Sequence, residues 1–389
     1  MYKNLIAVAV LAMSAVGSFG QVYYQDAVNK DMIRPANRIS GTRSEFILPE
    51  TINGYMPLRT DLHLHTYFSD GDVSPAARVR EAWLDGLDIV AITDHIEYHP
   101  TDAQMIAYLG TTLPEGIKAH EVNKNPDMKP KQDFNYSVKL AEAAAKQYGL
   151  LIIPGTEVTR APETIGHYNA LFTKDNNEIY NADPLQSLRN AKAQNALVLH
   201  NHPGWRRTSI DYTDFQTKAY GENLIDGIEV NNGVEMYPGA MNMALDNNLF
   251  VASTTDMHAT SFETYQGRGL HRNMTILLAK DFSLESAREA LESKRTIAYV
   301  AGGTLVGRDE LLKELFDNSI VIEKISDTRM KLTNKTSLHF IFKTTNGNPV
   351  VLPEMSSIII GKPADGPLHV MLENWWTGVD SHLEVDLTF

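Results

Sequence analysis

Short apolar runs alternate with amphipathic stretches from about residue 59 onwards, a pattern that predicts βα units around a parallel sheet or barrel. The first candidate helix runs from Ser74, a capping residue, to Leu84, with Pro75 at the first helical position. Others cover residues 136–148, 183–194 and 283–294. The candidate strands are RTDLHLH, LDIVAITDH, LLIIPGTEV, HYNALF, ALVLHNH, GIEVNN and LFVASTTD. About seven strands in this alternation is closer to a barrel than to most open sheets.

The pattern changes after residue 303. A helix-like segment, DELLKELFD, precedes runs rich in β-formers, SIVIEKI, SLHFIFKT, SSIIIGK and HLEVDLTF, which Asn, Gly and Pro residues separate. We therefore expect two domains in the mature chain, a barrel over residues 21–303 and a small, sandwich-like antiparallel β domain over residues 304–389. The segment from Thr101 to Lys131 is expected to be a long loop over the barrel.

Residues 1–20 have the layout of a secretory signal, in which Lys3 precedes an apolar run and small residues follow up to Gly20. The apolar run is well short of the ~20 residues that span a bilayer, which favours a cleaved signal over a membrane anchor. We expect cleavage near Gly20 and a periplasmic or extracellular mature protein. No comparable run follows, so no membrane span is expected in the mature chain.

Composition restricts the chemistry. The chain has no Cys and 13 His, so disulfides and thiolate ligands are excluded and any metal must bind His and carboxylate side chains. The formal net charge of −13 argues against long nucleic acids as partners, because their phosphates repel an acidic surface. A small phosphorylated substrate held by a local positive site is compatible with this charge. The sequence does not indicate an oligomeric state.

Histidine and acidic residues recur at or just beyond the ends of the candidate strands. Side chains alternate along an extended strand, so His63 and His65 project to one face, as two ligands of one ion would. The other residues of this kind are Asp70, Asp94, His95, Glu157, His167, His200, His202, Asp256 and His258. Only His167 stands at a strand start. Strand ends carry the active site in parallel α/β folds, and burying so many ionisable groups without cations would cost several kcal/mol per unpaired charge.

This set is too large for one ion. A tetrahedral or five-coordinate centre takes four or five groups, so the residues predict two or three ions. Nitrogen-rich sites with carboxylates suit Zn²⁺, Mn²⁺ or Fe. Multi-metal centres of this type favour hydrolysis, because the ions lower the pKa of a bound water and hold both the attacking and the leaving oxygen.

The segments DLHLHTYFSDG, AITDH, GTEV, HNHPG and TDMH, spread in this order from Asp61 to His258, resemble the polymerase and histidinol phosphatase (PHP) family. The closest likeness is to its metal-dependent phosphoesterase branch. The resemblance implies a distorted (β/α)₇ barrel that holds two or three metal ions and hydrolyses phosphoesters.

The resemblance also implies which residues hold the ions. The first would be held by His63, His65, Glu157 and Asp256, the second by Glu157 as a bridge with His167 and His202, and the third by Asp70, His95 and His258. Asp70 stands where some relatives carry a histidine. His202 matches the ligand of the motif because it immediately precedes proline, so His200 and Asp94 are expected to support the ligands or contact the substrate.

Basic residues follow two of the ligand motifs. HPGWRRT places Arg206 and Arg207 after His202, and GRGLHR places Arg268, His271 and Arg272 after His258. The planar guanidinium fork suits phosphate. We therefore predict that Arg206 and Arg207 neutralise phosphate charge during catalysis, and His271 is a candidate acid for the leaving group.

The main hypothesis is a metal-dependent hydrolase of small phosphomonoesters or short phosphodiesters. A second hypothesis is hydrolysis of an amide, lactone or ester carbonyl, which the same ligands permit. A third is a glycan- or partner-binding protein with an inert barrel, in which Trp375 and Trp376 form a stacking platform. Adjacent side chains in a strand face opposite ways, so at least one of these tryptophans is expected in the core.

Overall fold

Strands and helices alternate along the chain, and a strand-rich segment follows them. The computed structural model describes residues 42–98, 133–344 and 347–389. Within it, Arg43–Phe389 form one compact unit. The predicted signal at residues 1–20 and the predicted loop at residues 101–131 lie outside the described residues and stay predictions. No helix in the described ranges is long and apolar enough to cross a membrane.

The predicted elements are present with small shifts at their ends. The strands are β1 (Met56–Asp61), β2 (Ile89–Ile92), β3 (Leu151–Arg160), β4 (Gly166–Leu171), β5 (Leu197–Asn201), β6 (Gly227–Asn232), β7 (Glu235–Met236), β8 (Phe250–Thr254), β9 (Met274–Ala279), β10 (Thr296–Val300), β11 (Thr304–Gly307), β12 (Ile320–Ser326), β13 (Arg329–Asn334), β14 (Phe340–Lys343), β15 (Val350–Leu352), β16 (Ser357–Gly361), β17 (Leu368–Gly378) and β18 (Ser381–Leu387). The helices are α1 (Pro75–Leu84), α2 (Tyr136–Ala145), α3 (Pro184–Ala193), α4 (Asp214–Gly221), α5 (Pro238–Asp246), α6 (Ser261–Thr264), α7 (Leu284–Glu292) and α8 (Asp309–Ser319), with 3₁₀ turns at Asn176–Glu178 and Gln266–Arg268.

Local capping explains where the helices begin. The Ser74 side chain accepts a hydrogen bond from Ala77 N, and Pro75 occupies the first helical position of α1. The first feature satisfies a free N–H group of the helix start, and the second leaves one fewer N–H without a partner, as the sequence predicts. A capping box formed by Thr213 and Gln216 opens α4 in the same way.

Most strands belong to one mixed sheet, with the order β15-β14-β17-β11-β10-β9-β1-β2-β3-β4-β5-β6-β7, in which β8 also pairs with β6 and β18 with β17. β1, β2 and β3 are parallel neighbours, as are β5, β6 and β8. β4 lies antiparallel between β3 and β5. The sheet therefore contains the seven predicted strands in one continuous path from β1 to β8.

Two backbone hydrogen bonds join the last of these strands to the first. Leu64 and Met257 form a parallel bridge. His65 N donates to Met257 O over 3.2 Å, and Asp256 N donates to His63 O over 3.0 Å. The seven strands thus form a distorted barrel, and the prediction of a (β/α)₇ fold is confirmed.

A buried apolar cluster supports the strands of this barrel. It includes Leu58, Ile153, Leu199 and Phe250, each from a different strand. The Phe250 ring lies 2.3 Å from the position that a Cβ at Gly227 would take, so only glycine fits there. This packing fixes the positions of the strands whose carboxyl ends carry the polar residues.

The C-terminal segment contributes to two sheets. β12, β13 and β16 form a separate antiparallel sheet, as expected. The remaining C-terminal strands extend the large sheet instead, because β17 pairs in parallel with β11. Trp375 of β17 is fully buried against Phe340, so this tryptophan is in the core. The domain boundary after residue 303 stays a prediction.

Candidate metal centre

His63 and His65 lie just beyond β1, which ends earlier than the sequence pattern predicts. The bridge at Leu64 keeps this segment extended, so the two imidazoles still project to the same side. Their Nε2 atoms lie 3.1 Å apart, and both rings are fully buried. The convergence expected from the His-x-His spacing is therefore present.

Two carboxylates face this pair of nitrogens. Asp256 Oδ1 lies 3.0 Å from His65 Nε2 and 3.3 Å from His63 Nε2. Glu157 Oε2 lies 3.5 Å and 3.6 Å from the same two atoms. The four residues predicted for the first ion thus surround one point with two nitrogens and two oxygens.

The second group surrounds the other oxygen of Glu157. Glu157 Oε1 lies 3.2 Å from His167 Nδ1 and 3.8 Å from His202 Nε2. His167 joins the group from a strand start because β4 is antiparallel to its neighbours, so its first residues lie at the same end of the barrel as the last residues of β5.

The third group is built around Asp70. Asp70 Oδ1 lies 3.2 Å from His258 Nε2, and Asp70 Oδ2 lies 3.4 Å from His95 Nε2. His65 Nδ1 lies 3.7 Å from Asp70 Oδ1. His258 is the most exposed of these side chains, with 39% of its surface accessible. The third group therefore opens toward solvent, whereas the first is enclosed.

The charges of the buried groups are strongly coupled in the metal-free protein. Burial, together with neighbouring His95, lowers the pKa of His65 to about 4, so His65 is a neutral imidazole at pH 7. Burial alone would raise the pKa of Glu157, but His95 and His63 hold it well below its usual range. Neighbouring histidines likewise hold the pKa of Asp256 well below its usual range, so these buried carboxylates remain ionised.

The arrangement fits divalent metal ions. Among the described residues, Glu157 Oε2 and Asp70 Oδ1 are buried oxygens that accept no hydrogen bond. His95 Nδ1 lies 2.6 Å from Glu157 Oε2, yet its hydrogen bond goes to Thr159 Oγ1. Carboxylate oxygens and imidazole nitrogens that face one another without aligned hydrogen bonds are left to bind a cation. Three groups have ligand atoms that all lie within 4.8 Å of one another: His63, His65 and Glu157; Glu157, His167 and His202; and His65, Asp70, His95 and His258.

Comparison with known proteins agrees with the motifs. The family model for the PHP domain matches residues 61–228. A solved structure from Bacteroides vulgatus ATCC 8482, a two-domain protein containing a predicted PHP-like metal-dependent phosphoesterase, is 31% identical, with a TM-score of 0.78 over 90% of this chain and 100% of that one. The chain belongs to the PHP family. The resemblance predicted from the sequence is confirmed.

Other solved structures resemble this PHP protein only weakly. PsfC from Pseudomonas syringae PB-5123 is 17% identical, with a TM-score of 0.39 over 67% of this chain and 96% of that one. An amidohydrolase from Chromobacterium violaceum is 15% identical, with a TM-score of 0.31 over 53% of this chain and 89% of that one. A search of curated proteins finds no match.

The basic residues of the PHP protein lie in different surroundings. Arg206 is 66% exposed and stacks over Trp205, with its guanidinium carbon 4.2 Å from the ring centroid. Arg207 instead donates to the carbonyls of Pro203 and Asp211, so it stabilises its own loop. The catalytic role predicted for Arg207 stays a prediction.

The second basic segment lies in a different environment. His271 packs edge-on against Phe46, with ring centroids 4.9 Å apart. Arg272 is fully buried, pairing with Asp61 Oδ2 at 2.6 Å and Asp85 Oδ2 at 3.0 Å, and both of these partners are themselves buried. Arg272 therefore forms a structural ion pair. The acid role predicted for His271 stays a prediction.

Asp94 and His200, the two residues expected to support the ligands or contact the substrate, are both buried beside them. Asp94 accepts hydrogen bonds from Thr66 N at 2.7 Å and Ser69 Oγ at 2.8 Å, so it fixes the turn after His65. His200 bonds to Tyr220 on one nitrogen, and burial lowers its pKa to about 3. His200 is therefore a neutral imidazole packed beside the ligands.

Two buried charged residues were missed by sequence reasoning. Glu229 of β6 contacts the ring of His63 and the backbone N–H of His202. Arg78 of α1 donates a hydrogen bond to the backbone carbonyl of His65. Glu229 is the third residue of the candidate strand GIEVNN. An acidic residue between Ile228 and Val230, inside a predicted strand, was the available signal. Arg78 gave no signal, because a lone arginine in an amphipathic helix is usually at the surface.

Proposed function

We propose that this PHP protein is a metal-dependent phosphoesterase that acts on small phosphomonoesters or short phosphodiesters. The observation that carries the proposal is the set of three adjoining His and carboxylate groups that share Glu157 and His65. Family membership supports metal-dependent hydrolysis in general, and the phosphoester bond is the specific part of the proposal.

The three groups would hold two or three divalent ions. When bound, such ions supply activation of a water molecule and charge neutralisation at a phosphoryl oxygen. The protein itself contributes the fixed positions of its ligands, three of which are buried in the first group. Buried His65 offers a neutral nitrogen, and ionised Glu157 offers one oxygen to each of two groups.

The phosphate preference rests on Arg206. Its side chain is mostly exposed, and Glu163 Oε1, at 3.9 Å, is a loose partner. Trp205 lies between this arginine and the ligands, with its ring centroid 5.3 Å from that of His167 and 5.4 Å from that of His202. A small pocket, lined by these rings and by Arg207, lies beside Trp205. Arg206 is thus a cation beside the candidate metal centre, and no carboxylate pairs closely with it. Such a guanidinium is suited to binding a phosphate oxygen.

A panel of substrates with the same leaving group tests the proposal. The 4-nitrophenyl esters of phosphate, of a phosphodiester and of acetate release the same chromophore, so their rates with added Mn²⁺ or Zn²⁺ are directly comparable. We expect hydrolysis of at least one phosphoester, and we expect His63→Ala to lower it more than about 100-fold, since removing a supporting residue alone typically costs 10–100-fold.

Two variants separate substrate binding from metal binding. Arg206→Ala should raise KM for the phosphoester and leave metal content unchanged, whereas Arg80→Ala, at an exposed position of α1, should change neither. The proposal is wrong if only the acetate ester is hydrolysed above the His63→Ala background, an outcome that would indicate a carbonyl hydrolase.

A further inference from the structure

Glu229 is a fully buried carboxylate that touches two of the three candidate ligand groups. Its Oε1 lies 2.9 Å from His63 Nδ1 and accepts a hydrogen bond from Thr254 Oγ1 over 2.7 Å. Its Oε2 accepts from the backbone N–H of His202 over 2.6 Å and from Asn232 Nδ2 over 2.9 Å. Four groups thus surround the two carboxylate oxygens of Glu229. The three groups other than the His63 ring donate hydrogen bonds to it whichever tautomer His63 adopts.

This arrangement determines which nitrogen of His63 carries the proton. A neutral imidazole has one N–H and one lone pair. Whenever the His63 ring is neutral, Glu229 accepting at Nδ1 holds its proton there and leaves the lone pair on Nε2. That nitrogen is the one that faces His65 Nε2 and Asp256 Oδ1. The opposite tautomer would leave a lone pair against the carboxylate and place a proton between the two candidate ligand nitrogens.

The other oxygen of Glu229 acts on the backbone. His202 has φ +25°, a value that non-glycine residues rarely adopt. The hydrogen bond from its N–H to Glu229 stabilises the residue in this conformation, from which its ring approaches Glu157. One side chain of β6 therefore connects the segment after β1 with the end of β5.

We propose that Glu229 is a positioning residue of the metal centre, which sets the tautomer of His63 and the backbone conformation of His202 so that both present nitrogens to the ions. The inference rests on the proposed metal-dependent function, but not on which bond is hydrolysed. Carboxylates that accept from the outer nitrogen of a metal-binding histidine raise its basicity and orient its ring.

Replacing Glu229 with glutamine gives a sharp test, because an amide has only one acceptor oxygen. His202 N–H can only donate, so the amide oxygen is expected to remain on that side. The amide NH₂ then faces His63 Nδ1 and Thr254 Oγ1, both of which are able to accept. Glu229→Gln should thus convert His63 to the Nε2–H tautomer, with the proton on the nitrogen that faces the cluster.

Two measurements on the full chain check this. In ¹⁵N spectra of histidine-labelled, metal-free protein, recorded at a pH high enough for the His63 ring to be neutral, the wild type should show the proton on Nδ1 and Glu229→Gln should show it on Nε2. In competition with a chromophoric chelator, Zn²⁺ affinity should fall about 10–100-fold in Glu229→Gln. Thr254→Val removes the hydroxyl donor to Glu229 Oε1 but leaves the contact with His63, so it should change Zn²⁺ affinity less than about 3-fold. The control Glu142→Gln, at an exposed position, should also change Zn²⁺ affinity less than about 3-fold.

An unchanged tautomer with unchanged Zn²⁺ affinity in Glu229→Gln would overturn the inference. If that variant does not fold, the wild-type spectrum decides, since a neutral wild-type His63 ring with its proton on Nε2 is incompatible with the proposed role. Neither readout involves an ester. If the tautomer and affinity change as expected while the phosphoester panel is negative, the proposed function alone fails.

Discussion

Replacing Arg78 with methionine should destabilise the protein and weaken metal binding, although Arg78 contacts no candidate ligand ring. Its guanidinium is fully buried and donates to four backbone carbonyls, those of His65 over 3.1 Å, Met257 over 3.1 Å, His258 over 2.9 Å and Ala259 over 2.9 Å. These carbonyls belong to the two segments that carry ligands at the closure of the barrel. Arg78 therefore holds the segment after β1 against the segment after β8.

The magnitude follows from the groups that lose their partner. Met257 O keeps a hydrogen bond from His65 N, and His258 O keeps one from Asp72 N. A buried carbonyl without a partner costs about 1–3 kcal/mol, so His65 O alone predicts a loss of this size. The partly buried carbonyl of Ala259 and the lost ion pair with Glu81 add to it, which makes the loss a substantial part of the roughly 5–15 kcal/mol by which domains are stable.

Urea denaturation measures the loss in free energy of unfolding, and elemental analysis after gel filtration measures bound metal. Arg80→Met is the matched control, because Arg80 is exposed on the same helix and should change the free energy by less than about 0.5 kcal/mol. Arg78→Lys should be intermediate, since an ammonium has three donors and no planar fork. A loss below about 1 kcal/mol in Arg78→Met, with full metal content, would refute this account of Arg78.

Two further predictions concern the metal centre. Dialysis against a chelator should abolish hydrolysis and lower the melting temperature. Adding Mn²⁺ or Zn²⁺ at about 100 times its Kd should restore roughly 2.7 kcal/mol of the free energy of unfolding. A melting temperature that neither the chelator nor the metal changes would contradict this. Gly71→Ala should lower both stability and metal content, because its Cβ would lie 2.8 Å from the backbone carbon of His65 and 2.9 Å from Thr66 N. Gly221→Ala, whose Cβ would meet nothing within 4 Å, is the control; equal metal content in both variants would argue against the predicted collision.

The candidate site was largely predictable because its spacing is local. Two histidines separated by one residue in an extended segment must project to one side, and the structure places their Nε2 atoms 3.1 Å apart. Asp256 and His258 are spaced in the same way but lie beyond β8, and Asp256 has φ +49°, so their spacing alone did not place them. Motif order then supplied the assignment to three groups. The pattern did not explain how His167, at the start of a strand, joins residues at strand ends. The direction of β4 is set by its pairing with β3 and β5 rather than by its local sequence.

The sequence could not predict the residues that act through long-range contacts. Arg78 donates to the carbonyl of His65 and to three carbonyls that lie close to 180 positions away in the sequence. These contacts could not be predicted, because backbone carbonyls have no sequence signature. The pairing of β17 with β11 was missed for a related reason, since the alternation of the C-terminal strands predicts their existence but not their neighbours. Strand-rich segments after a barrel are expected to form a sheet of their own, whereas four of these strands extend the barrel's sheet.

The closure between Leu64 and Met257 has a consequence for the order in which the protein is made. His63 and His65 are among the first barrel residues to be synthesised, and Asp256 and His258 are among the last. A nascent chain that has not yet reached β8 lacks Asp256 of the first ligand group and His258 of the third. The complete first and third ligand groups therefore exist only once the last strand has been made, and an ion that binds them preferentially would favour closure of the barrel.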